Sequence, residues 1–267
     1  MDQPPALTDC LVLYQYEGIA QMRILVISDI HSNSVALESI REKFDICFCL
    51  GDLVDYGPNP ARCVQWVMEN KAEVVRGNHD HGTAHSVAVV GDTGFRYLTS
   101  VTRPLQWAAL DSSQRNFLAR LPLTRRLVVD GVRYLLLHGT PRDPLDEYLR
   151  RDPAAWAEQV KDQEVDVVCV GHSHMQFELD AGGVRILNPG SVGLPRDSDP
   201  RAAYAIIDNG KIQLKRLRYD IEKAIAMNDA LPIPDEAKAM YRTCLTNGRL
   251  RPPVAAESKS AILENSA

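Results

Sequence analysis

Five of the seven histidines fall where short apolar runs stop, in company with Asp29, Asp52 and Asn78. Arg23 to Ser28 runs into Asp29-Ile30-His31, and Asp45 to Leu50 into Gly51-Asp52. Glu73 to Val75 runs into Arg76-Gly77-Asn78-His79-Asp80, Arg133 to Leu137 into His138-Gly139, and Val165 to Val170 into Gly171-His172-Ser173-His174. One such histidine would be an ordinary structural hydrogen-bonder. Eight ligand-type groups at the ends of five successive runs are different, because buried carboxylates and imidazoles without partners strongly destabilise a fold. A bound cation offsets that penalty. Carboxylate, amide and imidazole donors without thiolate suit manganese, iron or zinc, and not a Cys-rich structural zinc site. Eight groups exceed what one ion takes, so two ions sharing a carboxylate is the simplest arrangement.

The elements that must position these groups can be read from the same runs. Each is nearly continuous in apolar residues, as strands covered on both faces must be. Helical patterns lie between them, over Ser34 to Lys43, Pro60 to Asn70 and Pro153 to Lys161. Strands alternating with helices predict an α/β sheet whose ligands share the carboxyl edge of a parallel sheet. After His174 the pattern changes to four consecutive strands, Met175 to Leu179, Val184 to Leu187, Ala203 to Ile207 and Ile212 to Tyr219, with Gly182-Gly183 and Asn209-Gly210 as turns. They predict an antiparallel second sheet. The stretch 81–130 reads as a helical cap inserted between two strands, with Asp111 to Gln114 starting one of its helices. A C-terminal helical segment over 220–250 breaks near Pro232-Ile233-Pro234 and stops at Asn247-Gly248. Residues 251–267 are polar and aperiodic and read as a flexible tail, and 1–21 as a short extension ahead of Met22.

Composition narrows the functional classes. The chain has 267 residues, 45% hydrophobic and 24% charged, which are ordinary values for a folded soluble protein. The net charge of −5 argues against an extended nucleic-acid surface, which needs a basic face. No apolar run approaches the roughly 20 residues of a membrane span, and Cys10 to Tyr14 is too short for a signal core. The six cysteines form no C-x-x-C pair, and Cys47, Cys49 and Cys169 lie inside strand-like runs. Reduced, buried thiols in a cytoplasmic protein is the reading these features favour.

D-x-H (Asp29, His31), G-D-x-x-D (Gly51, Asp52, Asp55), G-N-H-D (Gly77 to Asp80), H-G (His138, Gly139) and G-H-x-H (Gly171 to His174) occur in that order. The ordered set resembles the calcineurin-like metallophosphoesterase superfamily over roughly Met22 to Tyr219. The resemblance implies a four-layer α/β/β/α sandwich with two mixed sheets, and two divalent or trivalent ions (Mn, Fe or Zn). It implies that Asp29, His31 and His174 hold one ion, that Asn78, His138 and His172 hold the other, and that Asp52 bridges them, with a bridging hydroxide completing the centre. His79 is implied to act on the phosphate or the leaving oxygen, oriented by Asp55. Departures from the protein-phosphatase branch, Tyr56 in place of its arginine and Asp80 in place of its glutamate, speak against a serine/threonine protein phosphatase. D-Y-G-P, H-G-T-P and N-P-G-S-V-G resemble the small bacterial members, which hydrolyse phosphodiesters and phosphomonoesters and in some cases diadenosine polyphosphates. A small phosphorylated substrate, such as a nucleotide, is the implied partner.

Other residues admit two readings each. Arg142 and Arg196 are placed to reach a substrate phosphate or to form surface ion pairs. Tyr56 either contacts substrate, as Asn78 and His79 would, or packs. Asp80 either joins the site or caps the segment that follows it. Asn188 is a candidate supporting group, Asn33 a helix cap, and His81 and His85 surface histidines. A non-catalytic scaffold of the same fold would have lost ligands, and this chain keeps them all. An oligomer is left open.

Overall fold

The computed structural model describes residues 12–14 and 21–250. The expected tail over 251–267 lies outside the described residues, as does most of the expected 1–21 extension. The strands are β1 (Val12–Tyr14), β2 (Ile24–Ile27), β3 (Ile46–Cys49), β4 (Glu73–Val74), β5 (Thr124–Val129) and β6 (Val132–Leu137). They continue with β7 (Val167–Cys169), β8 (Gln176–Ala181), β9 (Val184–Pro189), β10 (Ala202–Asp208) and β11 (Lys211–Leu217). The helices are α1 (Ser34–Ser39), α2 (Pro60–Glu69), α3 (Asn78–Ala84), α4 (Gly94–Ala109), α5 (Ser112–Arg120), α6 (Pro153–Val160), α7 (Ile221–Asp229) and α8 (Asp235–Asn247).

Two mixed sheets stack face to face, one ordered β1-β5-β6-β7-β9-β8 and the other β11-β10-β2-β3-β4. Strand alternation explains the layering. Ile24, Val26 and Phe48 from one sheet meet Leu127, Tyr134, Leu136 and Cys169 from the other in a shared core. The alternate residues Leu25, Ile27, Cys47 and Cys49 face a helical layer built by α1, α2 and α5. Leu135, Leu137, Val168 and Val170 face Trp156 and Val160 of α6. The result is the expected α/β/β/α sandwich.

Three expectations need correction. The ligand-bearing strands do not share one sheet: β2, β3 and β4 lie in the five-stranded sheet, β6 and β7 in the six-stranded one. Nor do the last four strands form a sheet of their own. The β8–β9 hairpin joins β7 through a parallel β9 pairing, and the β10–β11 hairpin joins β2 through an antiparallel β10 pairing. Turn signals disclose a hairpin but not which sheet edge accepts it. Finally, the helical insertion ends before 124, because Thr124–Val129 is β5, paired antiparallel with β6 across the Asp130-Gly131 turn. Arg125 and Arg126 on this strand obscured its apolar alternation.

The insertion is not a detached cap. A third core joins Leu98 of α4 to Tyr56, to Leu194 and to Tyr241 and Leu245 of α8. The C-terminal helices thus clamp α4 against the site. The predicted stop at Gly248 holds: it caps α8 in the left-handed conformation at φ 63°.

Candidate active site: two ligand clusters and a histidine–aspartate–arginine relay

The loops after β2 and β3 are tied together before any side chain is considered. The Asp29 amide donates to Gly51 O at 3.0 Å and the His31 amide to Asp52 O at 3.0 Å. Asp29, His31, Asp52, Asp55, Tyr56, His172 and His174 all adopt positive φ, between 46° and 69°. Such backbone costs energy for residues with a Cβ and concentrates where function demands it. Gly51, at φ 88°, is needed in its own right: a Cβ there would sit 2.5 Å from Gly77 N.

The first cluster contains Asp29, His31, Asp52 and His174, all buried. Nδ1 of His31 donates to Val54 O at 3.0 Å, and Nδ1 of His174 donates to Leu194 O at 2.5 Å. These bonds fix the tautomers and leave both Nε2 atoms as bare lone pairs. The two Nε2 atoms nevertheless lie 3.1 Å apart, and His174 Nε2 is 3.2 Å from Asp29 Oδ1. Lone pairs brought this close repel unless a cation sits among them. Burial pushes both imidazoles well below their ordinary pKa, so they are the neutral bases that a metal requires.

The second cluster contains Asp52, His138 and His172, so Asp52 belongs to both. His138 Nδ1 donates to Leu50 O at 2.6 Å, which turns Nε2 toward Asp52 Oδ2 at 3.2 Å. His172 is held the other way round, with Nε2 on Asp146 O at 3.0 Å, leaving Nδ1 free. Burial alone would lower the His138 pKa, but the Asp52 carboxylate outweighs it and lifts the group to about 10. Burial would likewise raise Asp52, yet His138 and His79 hold it well below the carboxylate range. Burial pushes His172 down to about 3 and lifts Asp29 to about 6. Both Asp29 oxygens and Asn78 Oδ1 are buried without a hydrogen-bond partner. Orphaned acceptors of this kind, converging with bare imidazoles, fit a metal centre by the chemistry of the donor set.

Beside the clusters, His79 Nδ1 lies 2.6 Å from Asp55 Oδ2, and His79 Nε2 lies 3.1 Å from the Tyr56 hydroxyl. The same Asp55 oxygen accepts Nε and Nη2 of Arg103, at 2.9 and 2.5 Å. Arg103 comes from α4 and is 4% exposed. Its neighbours on that helix grip the loop: Asp55 N donates to Gln106 Oε1, Tyr56 N to Thr102 Oγ1, and Gln106 Nε2 to Gly57 O. Sequence reasoning missed Arg103 and Gln106. The available signal was a row of polar residues (Thr99, Thr102, Arg103, Gln106) on one buried side of a helix.

A family model, the calcineurin-like phosphoesterase superfamily domain, matches residues 22–211. The chain belongs to this superfamily. An uncharacterized protein of Methanocaldococcus jannaschii is 34% identical over 227 residues, covering 75% of this chain and 89% of its own. The phosphodiesterase YfcE of Escherichia coli is 26% identical over 216 residues, covering 78% and 94%. The crystal structure of a metallophosphoesterase from Sphaerobacter thermophilus superposes with a TM-score of 0.70 at 30% identity, covering 85% of this chain and 99% of that one. The chain is accordingly an enzyme that hydrolyses phosphoric esters, with buried Asp/His clusters suited to the metals on which the superfamily depends. Among the described residues no helix is long and apolar enough to cross a membrane.

The remaining phosphoesterase candidates separate cleanly. Tyr56, Asn78, His79 and Arg196 line one cavity of about 510 Å³. Arg142 does not. It is exposed and paired with Glu147, so the ion-pair reading holds for it. Asp80 supports the loops rather than the site: its carboxylate accepts the amides of Asp52, Leu53 and Gly77. Asn188 holds the His172–His174 loop by donating to Gly171 O and Ser173 Oγ. Asn33 caps α1 at Ala36 N. His85 is exposed, whereas half-buried His81 lines the cavity.

Proposed function

We propose that the chain is a two-metal hydrolase of small phosphate mono- or diesters. Asp29, His31 and His174 would hold one ion, Asn78, His138 and His172 the other, with Asp52 shared. The observation carrying this reading is that Asp52 belongs to both ligand clusters, each of which also contains buried imidazoles. Two cations bound there supply an activated water near neutral pH and neutralise phosphoryl charge. Manganese, iron and zinc all suit these donors.

His79 takes the proton-donor role in this reading. Asp55 fixes its Nδ1, so Nε2 faces the cavity and exchanges the Tyr56 hydroxyl for the leaving oxygen. A cavity of about 510 Å³ suits a small phosphorylated molecule rather than a polymer. The test is His79→Ala in protein loaded with manganese. Turnover of an alkyl phosphate should fall by about 10²–10⁴ with metal content unchanged. Loss of metal would move His79 into the ligand set, and an unchanged rate would remove it from the mechanism.

A further inference from the structure

Arg23, Arg103, Arg185 and Arg216 each hold a carboxylate. Arg196 does not, among the described residues. Its guanidinium carbon lies 3.8 Å from the centre of the Phe95 ring. Its Nη1 donates only to the Tyr148 hydroxyl at 3.4 Å, and its Nε is buried with no partner. The Tyr148 ring in turn stacks on His172 at 3.7 Å, so this cation stands at the margin of the second ligand cluster. The backbone holds it rigidly, because the Arg196 amide donates to His174 O and Leu194 O accepts His174 Nδ1. A guanidinium with no carboxylate of its own stands beside a centre suited to cations. The residue lines the same cavity as Asn78 and His79.

We propose that Arg196, stacked on Phe95 and steadied by Tyr148, is an oxyanion subsite that selects phosphate monoesters over diesters. This rests on the phosphoester reading above and names its substrate class. A diester presents two non-bridging oxygens and one negative charge, whereas a monoester dianion presents three and two. The extra oxygen and charge favour an additional cationic partner beside the ligand clusters, and a guanidinium fork supplies matched donors. Stacking on Phe95 pre-organises that fork at little entropic cost.

The experiment compares wild type, Arg196→Met and Arg196→Lys as manganese-loaded full chains. It uses p-nitrophenyl phosphate, bis(p-nitrophenyl) phosphate, metal content, and calorimetric binding of inorganic phosphate. Arg196→Met should lose about 10²–10³ in kcat/KM on the monoester, the cost of one positioned oxyanion donor. The diester rate should change less than about threefold, metal content should stay the same and phosphate affinity should fall at least about tenfold. Arg196→Lys should recover only part of the loss, since an ammonium lacks the fork. Equal losses on both esters, or phosphate binding as tight as in wild type, would overturn the proposal. If loaded wild type cleaved neither ester, the phosphoester reading would fail separately, and phosphate calorimetry would still judge Arg196 alone.

Discussion

Replacing Arg103 by methionine tests whether the inserted helix α4 serves the chemistry. The side chain is 4% exposed and directs Nε and Nη2 to one oxygen of the fully buried Asp55, while Nη1 reaches Val87 O. Removing one partner of a buried ion pair costs about 3–5 kcal/mol. The lower end applies here, because Asp55 keeps His79 Nδ1 and the Thr83 hydroxyl. About 3 kcal/mol in a chain of this size lowers Tm by about 6–12 °C. Arg103 touches no member of either ligand cluster, so metal content should be unchanged. Its catalytic effect should pass through His79, whose ring loses its fixed carboxylate, and a misplacement near 1 Å costs about 10² in turnover. The loss should be largest for alkyl leaving groups and small for p-nitrophenolate, which needs no proton. Arg103→Lys should restore part of both stability and rate. The deciding assay is the double mutant: Arg103→Met in a His79→Ala background should cost stability but little further activity. Independent, multiplying losses would refute the relay, as would a single variant with wild-type rate on poor leaving groups.

Two further outcomes follow from the electrostatics. Metal loading satisfies the orphaned oxygens of Asp29 and Asn78, so an excess of manganese near 100 times its Kd should add about 2.7 kcal/mol per site and raise Tm by at least about 5 °C, measured by calorimetry with and without chelator; an unchanged Tm would mean those atoms are not ligands. The Arg201 guanidinium beside Asp199 holds its carboxyl down from 3.8 to about 2, so the pair stabilises the fold above about pH 4 and the contribution is lost as pH falls toward 2. The pair is partly exposed, so Asp199→Asn should lower stability by only a few tenths of a kcal/mol at pH 7 and by less at pH 3 in urea unfolding; an equal loss at both would detach the effect from titration.

The candidate ligands were legible because each stands where an apolar run meets a sharp loop, and the backbone that presents it is local. How the rings are oriented was not legible in this way: His31 is fixed by Val54 O, 23 positions away, His174 by Leu194 O, 20 away, and His138 by Leu50 O, 88 away. Which sheet accepts a hairpin was not legible, since β9 and β10 carry similar apolar patterns and the choice is made by packing across the shared core. Arg103 was hidden for another reason. Its partner Asp55 lies 48 positions away, and a charged residue on a helix ordinarily faces water. Arg142 and Arg196 follow similar Pro-containing turns, and only the fold separates the one paired with Glu147 from the one that lines the cavity.

The central claim is that Asp52 joins two metal positions. Plasma mass spectrometry of protein loaded with manganese and passed through a desalting column tests it most directly. The account predicts close to two ions per wild-type chain, and a loss from both positions in Asp52→Asn, with hydrolysis lost in parallel. One ion or none in wild type, or two retained in Asp52→Asn at normal turnover, would contradict it.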